Sequence, residues 1–317
     1  MIPYEDIYSF LTAEENAQKY LEKSYQSQDD TKTKSYQNSS AFIHYINNGI
    51  SFMESSQSSN ILVQPVLSFY GMMHLLKGWL LTKRPDYPET TAVLAHGLTA
   101  RKRKRKDYRF IEDEVKIQQQ GLFPYVSRYL FSHHPFPLNR VSMQQLLRSI
   151  PELSTIWNFN KENPMVIIGE KGSKQLYFPD SILDGFHLKE ATFVERIRPF
   201  LPPIEDIQQK EGGLQLYLTG SVTDWNGPFR YHLNNECIYF PAARADYFPY
   251  SEILVHYLLL FNLSMICRYE TEWWGELIQM KTDREYPLIQ QFLKITQQKT
   301  PALISQCLLQ NFQGETK

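Results

Sequence analysis

The chain has 317 residues, of which 42% are hydrophobic and 14% aromatic, and its formal net charge is −1. This apolar content is enough for one large or two ordinary packed domains, and it excludes a disordered chain. The near-neutral charge argues against binding of nucleic acid over the whole surface by electrostatic attraction.

Helical patterns dominate the first half of the chain. Pro3 to Lys23 is rich in helix formers, and a second helical pattern covers Ser40 to Met53. The strongest pattern begins near Pro65 and has apolar residues nearly all around, which predicts a central, buried helix. The polar stretch from Ser24 to Ser40 offers few side chains for burial, so we expect it to be mobile. Shorter helices are predicted at Ala92–His96, Leu122–Leu130 and Ser142–Ile150.

Between Pro164 and Phe240 the hydrophobic period changes from about 3.6 to about 2 residues, which predicts strands. Turn sequences such as GEKGS and NNE separate short apolar runs, as in a small antiparallel sheet. The predicted strands are Met165–Ile168, Gln175–Phe178, Ala191–Ile197, Leu214–Leu218, Phe229–Leu233 and Cys237–Phe240.

Helix returns after Pro249, with one long apolar segment and then a pair of helices that begin at Pro287 and Pro301. His256 and Asn262 interrupt the apolar segment, so we expect them to form hydrogen bonds inside the helical bundle. The sequence therefore predicts an α+β fold that is predominantly helical. N- and C-terminal helices (1–160 and 246–317) would form one discontinuous domain, and an antiparallel β-rich insertion would cover 161–245.

The cysteines and the chain ends indicate a cytoplasmic protein. Cys237, Cys267 and Cys307 lie far apart and match no zinc-site spacing, which is typical of small buried residues in a reducing compartment. The first residues do not read as a signal peptide. The longest apolar run, Ile253 to Cys267, is shorter than the ~20 residues of a membrane-spanning helix.

Two segments together carry a family resemblance. One is LVQPVLSFYGMMHLLKGWLL with HGL at His96–Leu98 downstream, and the other is PYSEILVHYLLLFNLSMICRYETEWWGEL near the C-terminus. Together they resemble the YaaC-like family of bacterial proteins. The resemblance implies a link to guanine nucleotide supply, because genes of such proteins tend to lie beside the gene for inosine monophosphate (IMP) dehydrogenase. That enzyme is therefore the partner that the resemblance implies.

The segment PVLSFYGMMHLLKGWLL is also similar to the central helix of HEPN-type helical domains. Many HEPN ribonucleases use an Arg, which stabilises the phosphate, and a His about five to seven positions later, which transfers protons. Arg128 with His133 or His134 supplies that spacing, but a Pro-rich turn follows it instead of a long final helix. The alternative interpretation is a surface helix end, where histidines interact favourably with the helix dipole.

The basic run reads RKRKRK and consists of Arg101, Lys102, Arg103, Lys104, Arg105 and Lys106, with Arg109 close behind. Consecutive cations repel one another, so this segment would gain from binding RNA, a nucleotide phosphate or an acidic surface of a partner. The acidic stretch from Glu112 to Glu114 could neutralise part of the charge, and a solvated loop is the other interpretation.

Two further groups are candidate sites. Tyr70, His74 and Lys77 lie on one face of the central predicted helix and could line a nucleotide pocket, or Lys77 could reach solvent while His74 satisfies a buried carbonyl. Trp273 and Trp274 are adjacent, so their side chains point about 100° apart in a helix and cannot both face one core. One of them is a candidate anchor for a protein partner.

No phosphate-binding loop, dinucleotide fingerprint, nucleophile elbow or HExxH zinc motif is present in the sequence. We therefore expect no cofactor and no metal. The leading hypothesis is a non-enzymatic regulatory protein that acts by protein–protein contact. The alternatives are a HEPN-like ribonuclease and a helical protein that senses nucleotides.

Overall fold

The computed structural model describes residues 3–26, 30–100, 108–133, 135–222, 227–281 and 285–313, with side chains up to residue 310. None of the described helices has both the length and the apolar content that crossing a bilayer requires. The α-helices are α1 (Tyr4–Leu11), α2 (Glu14–Ser24), α3 (Thr31–Ser58), α4 (Gln64–Lys83), α5 (Leu122–Phe131), α6 (Met143–Arg148), α7 (Ser154–Phe159), α8 (Asp180–Phe186), α9 (Glu190–Ile197), α10 (Glu252–Tyr269), α11 (Thr271–Met280) and α12 (Glu285–Gln313).

Within the described ranges the strands form three small sheets, in the orders β1-β2-β3, β4-β9-β8 and β5-β7-β6. Neighbouring strands pair antiparallel, for example β5 with β7 and β6 with β7. The predicted α+β fold, mostly helical with antiparallel sheets, is therefore confirmed. The strands are β1 (Leu98–Ala100), β2 (Glu114–Ile117), β3 (Arg140–Ser142), β4 (Met165–Glu170), β5 (Gln175–Pro179), β6 (Ile204–Lys210), β7 (Gly213–Leu218), β8 (Arg230–Tyr231) and β9 (Cys237–Pro241).

The chain divides into two compact units. The first contains Met1–Arg109, Asp113–Val141 and His256–Lys317, and the second contains Phe110–Glu112 and Ser142–Val255. The domain division predicted from the sequence, with an insertion over 161–245, stays a prediction, because two compact units need not fold independently.

The centre of the first unit is the pair of helices α3 and α4. Most of α4 is buried, as its all-round apolar sequence predicts, and Pro65 lies in its first turn, where proline is tolerated. Glycines allow the two helices to approach closely. A Cβ on Gly49 would lie 2.6 Å from Leu75 Cδ2, and a Cβ on Gly71 would lie 3.0 Å from the Gly49 carbonyl oxygen.

Buried tyrosine hydroxyls join the N-terminal helices to the rest of the first unit. Tyr8 and Tyr20 donate hydrogen bonds of 2.8 and 2.9 Å to backbone carbonyls of α12, and Tyr25 donates one of 2.8 Å to a carbonyl of α4. Each bond satisfies a polar group that burial would otherwise leave without a partner. The predicted packing of C-terminal helices on N-terminal ones is thus confirmed inside this unit.

The expected hydrogen bonds of the two polar residues in α10 are also present. His256 Nδ1 lies 2.8 Å from Thr296 Oγ1, and the Asn262 amide donates to Asp113 Oδ2 at 3.1 Å. All four residues are buried, so these bonds compensate for the loss of water around them.

Aromatic rings from two sheets and two helices form the core of the second unit. Phe193 of α9 lies 5.2 Å from Phe178 of β5 and 5.7 Å from both Phe186 of α8 and Phe240 of β9, edge to face in each case. These separations and angles are favourable for aromatic pairs.

Two expectations about the β-rich region are wrong. Ala191–Ile197 lies in α9 rather than in a strand, with Phe193, Val194 and Ile197 buried on one face at helical spacing. Strand β6 is missing from the sequence prediction, because its polar sequence IEDIQQK is mostly exposed and so lacks an apolar alternation.

Two expectations about the helices are also wrong. The polar stretch from Ser24 to Ser40 is helical from Thr31 onward, where Ser35 and Ser39 are buried at i, i+4 spacing. The last predicted pair of helices is a single helix, α12, which continues through Pro301.

Candidate functional site

Four aromatic rings from α3 and α4 form a continuous ladder on the first unit. Tyr45 and His74 have ring centroids 6.1 Å apart, and His74 and Phe52 are nearly parallel at 5.6 Å with an angle of 8°. Phe52 in turn stacks with Tyr70 at 6.0 Å. All four residues are half-buried, so each ring has both protein and solvent beside it. Together with Lys77 they are called the α3–α4 face below.

Helical geometry explains why these residues meet. Tyr70, His74 and Lys77 are spaced i, i+4 and i+7 on α4, and Tyr45 and Phe52 are spaced i and i+7 on α3, so each set shares one side of its helix. The structure thus brings the predicted group of Tyr70, His74 and Lys77 together. It adds two rings that the sequence prediction does not contain.

Lys77 gives the α3–α4 face a positive charge without a negative partner. Its Nζ lies 5.9 Å from the centre of the Tyr45 ring, and none of the described residues forms an ion pair with it. Burial lowers the pKa of Lys77, because removing water disfavours the charged form. A bound anion beside Lys77 would stabilise its charged form and so compensate for the loss of water around it.

His74 has an unused hydrogen-bonding position. Its Nδ1 is buried and has no hydrogen-bond partner among the described residues. Burial, and secondly the charge of Lys77, lower the pKa of His74, so the ring is neutral near pH 7. A neutral imidazole can donate from one nitrogen and accept at the other.

Arg268 adds a second positive charge near the face, and the His96 ring lies close to both cations. Burial lowers the pKa of His96, with further contributions from the charges of Arg268 and Lys77. The His96 ring lies edge to face with Phe69 at 5.2 Å and with Phe261 at 5.8 Å. The arrangement therefore combines aromatic surfaces with cations, which suits a planar ligand that carries negative charge.

The candidate ribonuclease residues are Arg128, His133 and His134, and the first two differ from one another in exposure and contacts. Arg128 is exposed, and its guanidinium lies 5.0 Å from the centre of the Tyr129 ring. His133 is half-buried with its ring 6.2 Å from Phe136, and burial lowers its pKa. His134 lies outside the described residues. Among the described residues no hydrogen bond joins Arg128 to His133, and the ribonuclease assignment stays a prediction.

Six of the seven predicted anion-binding residues, Arg101 to Lys106, lie outside the described residues. The seventh, Arg109, is about half exposed, and its Nε lies 3.6 Å from Glu285 Oε1. Because Glu285 is buried, this ion pair satisfies an internal carboxylate. Arg109 therefore has a partner within the first unit.

The two adjacent tryptophans face different surroundings, as the helix geometry predicts. Trp274 is buried, and its indole N–H donates to the Leu62 carbonyl oxygen at 2.9 Å. Trp273 is half-buried and lies edge to face with Tyr108 at 4.8 Å. Of the two, only Trp273 has surface available to a partner protein.

A cavity of about 330 Å³ lies between α1, α3 and α12. The sequence prediction does not contain it, because its walls come from helices far apart in the chain. Its lining includes Glu5 on α1 and Glu54 on α3, and no lysine, arginine or histidine is among the lining residues that the structure describes. Burial, and then the charge of Glu5, raise the pKa of Tyr4 at the same wall. This space is called the acidic cavity below.

No group of three or more His, Cys, Asp or Glu side chains in the described part of the chain is arranged to hold a metal ion. The three cysteines are free and partly buried.

Comparison with known proteins identifies one family. The family model described as YaaC-like Protein matches residues 9–308. No curated protein and no solved structure matches the chain.

Proposed function

Because this chain belongs to the YaaC-like family, we propose that it is a non-enzymatic regulatory protein that binds a purine nucleotide on the α3–α4 face. The observation that supports this most is the aromatic ladder of Tyr45, His74, Phe52 and Tyr70 beside Lys77, a partly buried cation without an ion-pair partner among the described residues.

The chemistry of a nucleotide matches the two parts of this face. A base can stack on aromatic rings, an interaction worth about 1–3 kcal/mol per base. A phosphate can accept hydrogen bonds from Lys77, and a charge-assisted bond of this kind is roughly twice as strong as a neutral one. The half-buried His74 ring, stacked on Phe52, adds aromatic surface for the base.

Thermal unfolding with a panel of ligands tests the proposal. Guanosine and inosine monophosphates should raise the unfolding midpoint, because a ligand at 100 times its dissociation constant stabilises the folded state by about 2.7 kcal/mol. Ribose 5-phosphate lacks the base and guanosine lacks the phosphate, so each should shift the midpoint less. Equal shifts with ribose 5-phosphate would show that the aromatic rings contribute nothing, and no shift with any nucleotide would contradict the proposal.

A second proposed function is contact with a protein partner through α11. Tyr269, just before this helix, is 62% exposed, and Met280 at its end is 66% exposed. Trp273 lies between them and shares one face of α11 with Met280, since the two are spaced i, i+7. Exposed aromatic and methionine side chains are enriched where proteins bind partners.

The partner we propose is IMP dehydrogenase, as the family resemblance implies. Contact with this enzyme would couple nucleotide binding on the α3–α4 face to purine synthesis, and it would place the protein in the cytoplasm. Both proposed functions use the first unit alone.

Biolayer interferometry with purified IMP dehydrogenase tests the second function. Tyr269→Ala and Met280→Ala should each weaken binding, whereas Tyr36→Ala should not, because Tyr36, 69% exposed, belongs to α3 and not to the proposed contact surface. Absence of binding, or equal binding by all three variants, would contradict this assignment of the partner and its surface.

A further inference from the structure

The acidic cavity has the size of a small-ligand site. Its volume of about 330 Å³ lies at the lower end of the roughly 300–1,000 Å³ of ligand pockets. Ile46, Ile50 and Met53 of α3 supply apolar surface, and Pro301 of α12 also lines the cavity. A ligand that fits here has a compact apolar body.

The walls of the acidic cavity are held by hydrogen bonds to α12. The Tyr8 hydroxyl donates to the Pro301 carbonyl oxygen at 2.8 Å, and the Gln57 amide donates to the Gln297 carbonyl oxygen at 3.2 Å. These bonds fix side chains from α1 and α3 against α12. The cavity is therefore formed before a ligand arrives, which lowers the entropic cost of binding.

Two carboxylates from separate helices give the acidic cavity its charge. Glu5 on α1 and Glu54 on α3 both line it and are both exposed to solvent. Neither carboxylate forms an ion pair with any described residue. Tyr4 of α1 lines the same cavity, so both carboxylates and the Tyr4 ring border one space.

Aromatic rings at the same wall independently favour a cation. Tyr4 and Tyr8 pack edge to face with ring centroids 6.2 Å apart, and both line the cavity. The face of a tyrosine ring attracts an ammonium group within about 6 Å. The cavity therefore combines carboxylates, aromatic rings and apolar lining residues. This combination favours an organic cation over an inorganic one.

We propose that the acidic cavity binds a small organic amine, with its ammonium group between Glu5 and Glu54 and its apolar body against Ile46, Ile50 and Met53. This site is separate from the α3–α4 face, because its lining residues on α3 do not include Tyr45 or Phe52. The protein would then respond to two ligands of opposite charge.

Calorimetric titration of the full chain with phenethylamine tests this site, with 2-phenylethanol as the neutral analogue of the same shape. Phenethylamine should bind and 2-phenylethanol should not. Glu5→Gln and Glu54→Gln should each weaken phenethylamine binding by roughly tenfold or more, as expected for loss of one charge-assisted hydrogen bond. Glu14→Gln, an exposed position on α2 outside the lining, should leave it unchanged.

A second variant tests the volume rather than the charge. Asn47 lines the cavity and is exposed, so Asn47→Trp should fill the space without disturbing the core. It should abolish phenethylamine binding while both carboxylates remain. No binding by the wild-type chain at millimolar phenethylamine would overturn the proposal. So would equal binding of 2-phenylethanol, or unchanged phenethylamine binding in the double glutamine variant or in Asn47→Trp.

Discussion

Replacement of Gly49 by alanine tests whether close contact of α3 and α4 holds the candidate site together. The added Cβ would lie 2.6 Å from Leu75 Cδ2 and 2.7 Å from Leu75 Cγ. Favourable carbon contacts lie at about 3.5–4.0 Å, and Leu75 is fully buried, so either its side chain must shift within the core or the helices must move apart. Overpacking of this kind costs about 1–3 kcal/mol.

Alanine also gains about 1 kcal/mol over glycine from its higher helix propensity, which partly offsets the clash. Gly275→Ala isolates this gain, because Gly275 lies inside α11 and a Cβ there would meet nothing within 4 Å. We therefore expect Gly275→Ala to be more stable than Gly49→Ala by about 1–3 kcal/mol, the overpacking term alone.

Urea unfolding followed by circular dichroism measures this difference, from the midpoint of each transition and a common slope. Equal midpoints for Gly49→Ala and Gly275→Ala would refute the close contact of α3 and α4. A Gly49→Ala variant that exceeds the wild-type chain in stability would refute it as well.

Three further predictions concern stability. Acidification below about pH 6.5 should lower the thermal midpoint of unfolding. The pKa values of His74 and His96 are lowered in the folded chain, so the unfolded chain binds protons more readily as the pH falls. A midpoint that rises on acidification would contradict this. Trp274→Phe removes the bond to the Leu62 carbonyl oxygen and should cost about 1 kcal/mol in urea unfolding, whereas an unchanged midpoint would argue against that bond. Ser142→Ala removes the side-chain cap of α6 and should also cost about 1 kcal/mol, and no loss would contradict the cap.

The sequence predicts those parts of the fold that depend on periodicity within one element. Helix α4 follows from apolar residues on all its sides, and the shared face of Tyr70, His74 and Lys77 follows from their spacing. The helix α9 is predicted as a strand because Phe193, Val194 and Ile197 form too short an apolar pattern to distinguish the two periods.

Features that depend on contacts between distant elements cannot be predicted from the hydrophobic periodicity of a single segment. Tyr45 and Phe52 reach His74 because α3 and α4 pack side by side, with Gly49 and Gly71 at points of close approach. The acidic cavity needs three helices in a defined arrangement. No local pattern in the sequence specifies these arrangements.

Binding of guanosine monophosphate to the Lys77→Gln variant tests the central claim most directly. Calorimetric titration should give an affinity lower than that of the wild-type chain by roughly tenfold or more, since one charge-assisted bond to the phosphate is lost. Lys116→Gln makes the same change at an exposed lysine of β2 and should bind as the wild type does. Equal affinities of the Lys77→Gln and Lys116→Gln variants would contradict nucleotide binding on the α3–α4 face.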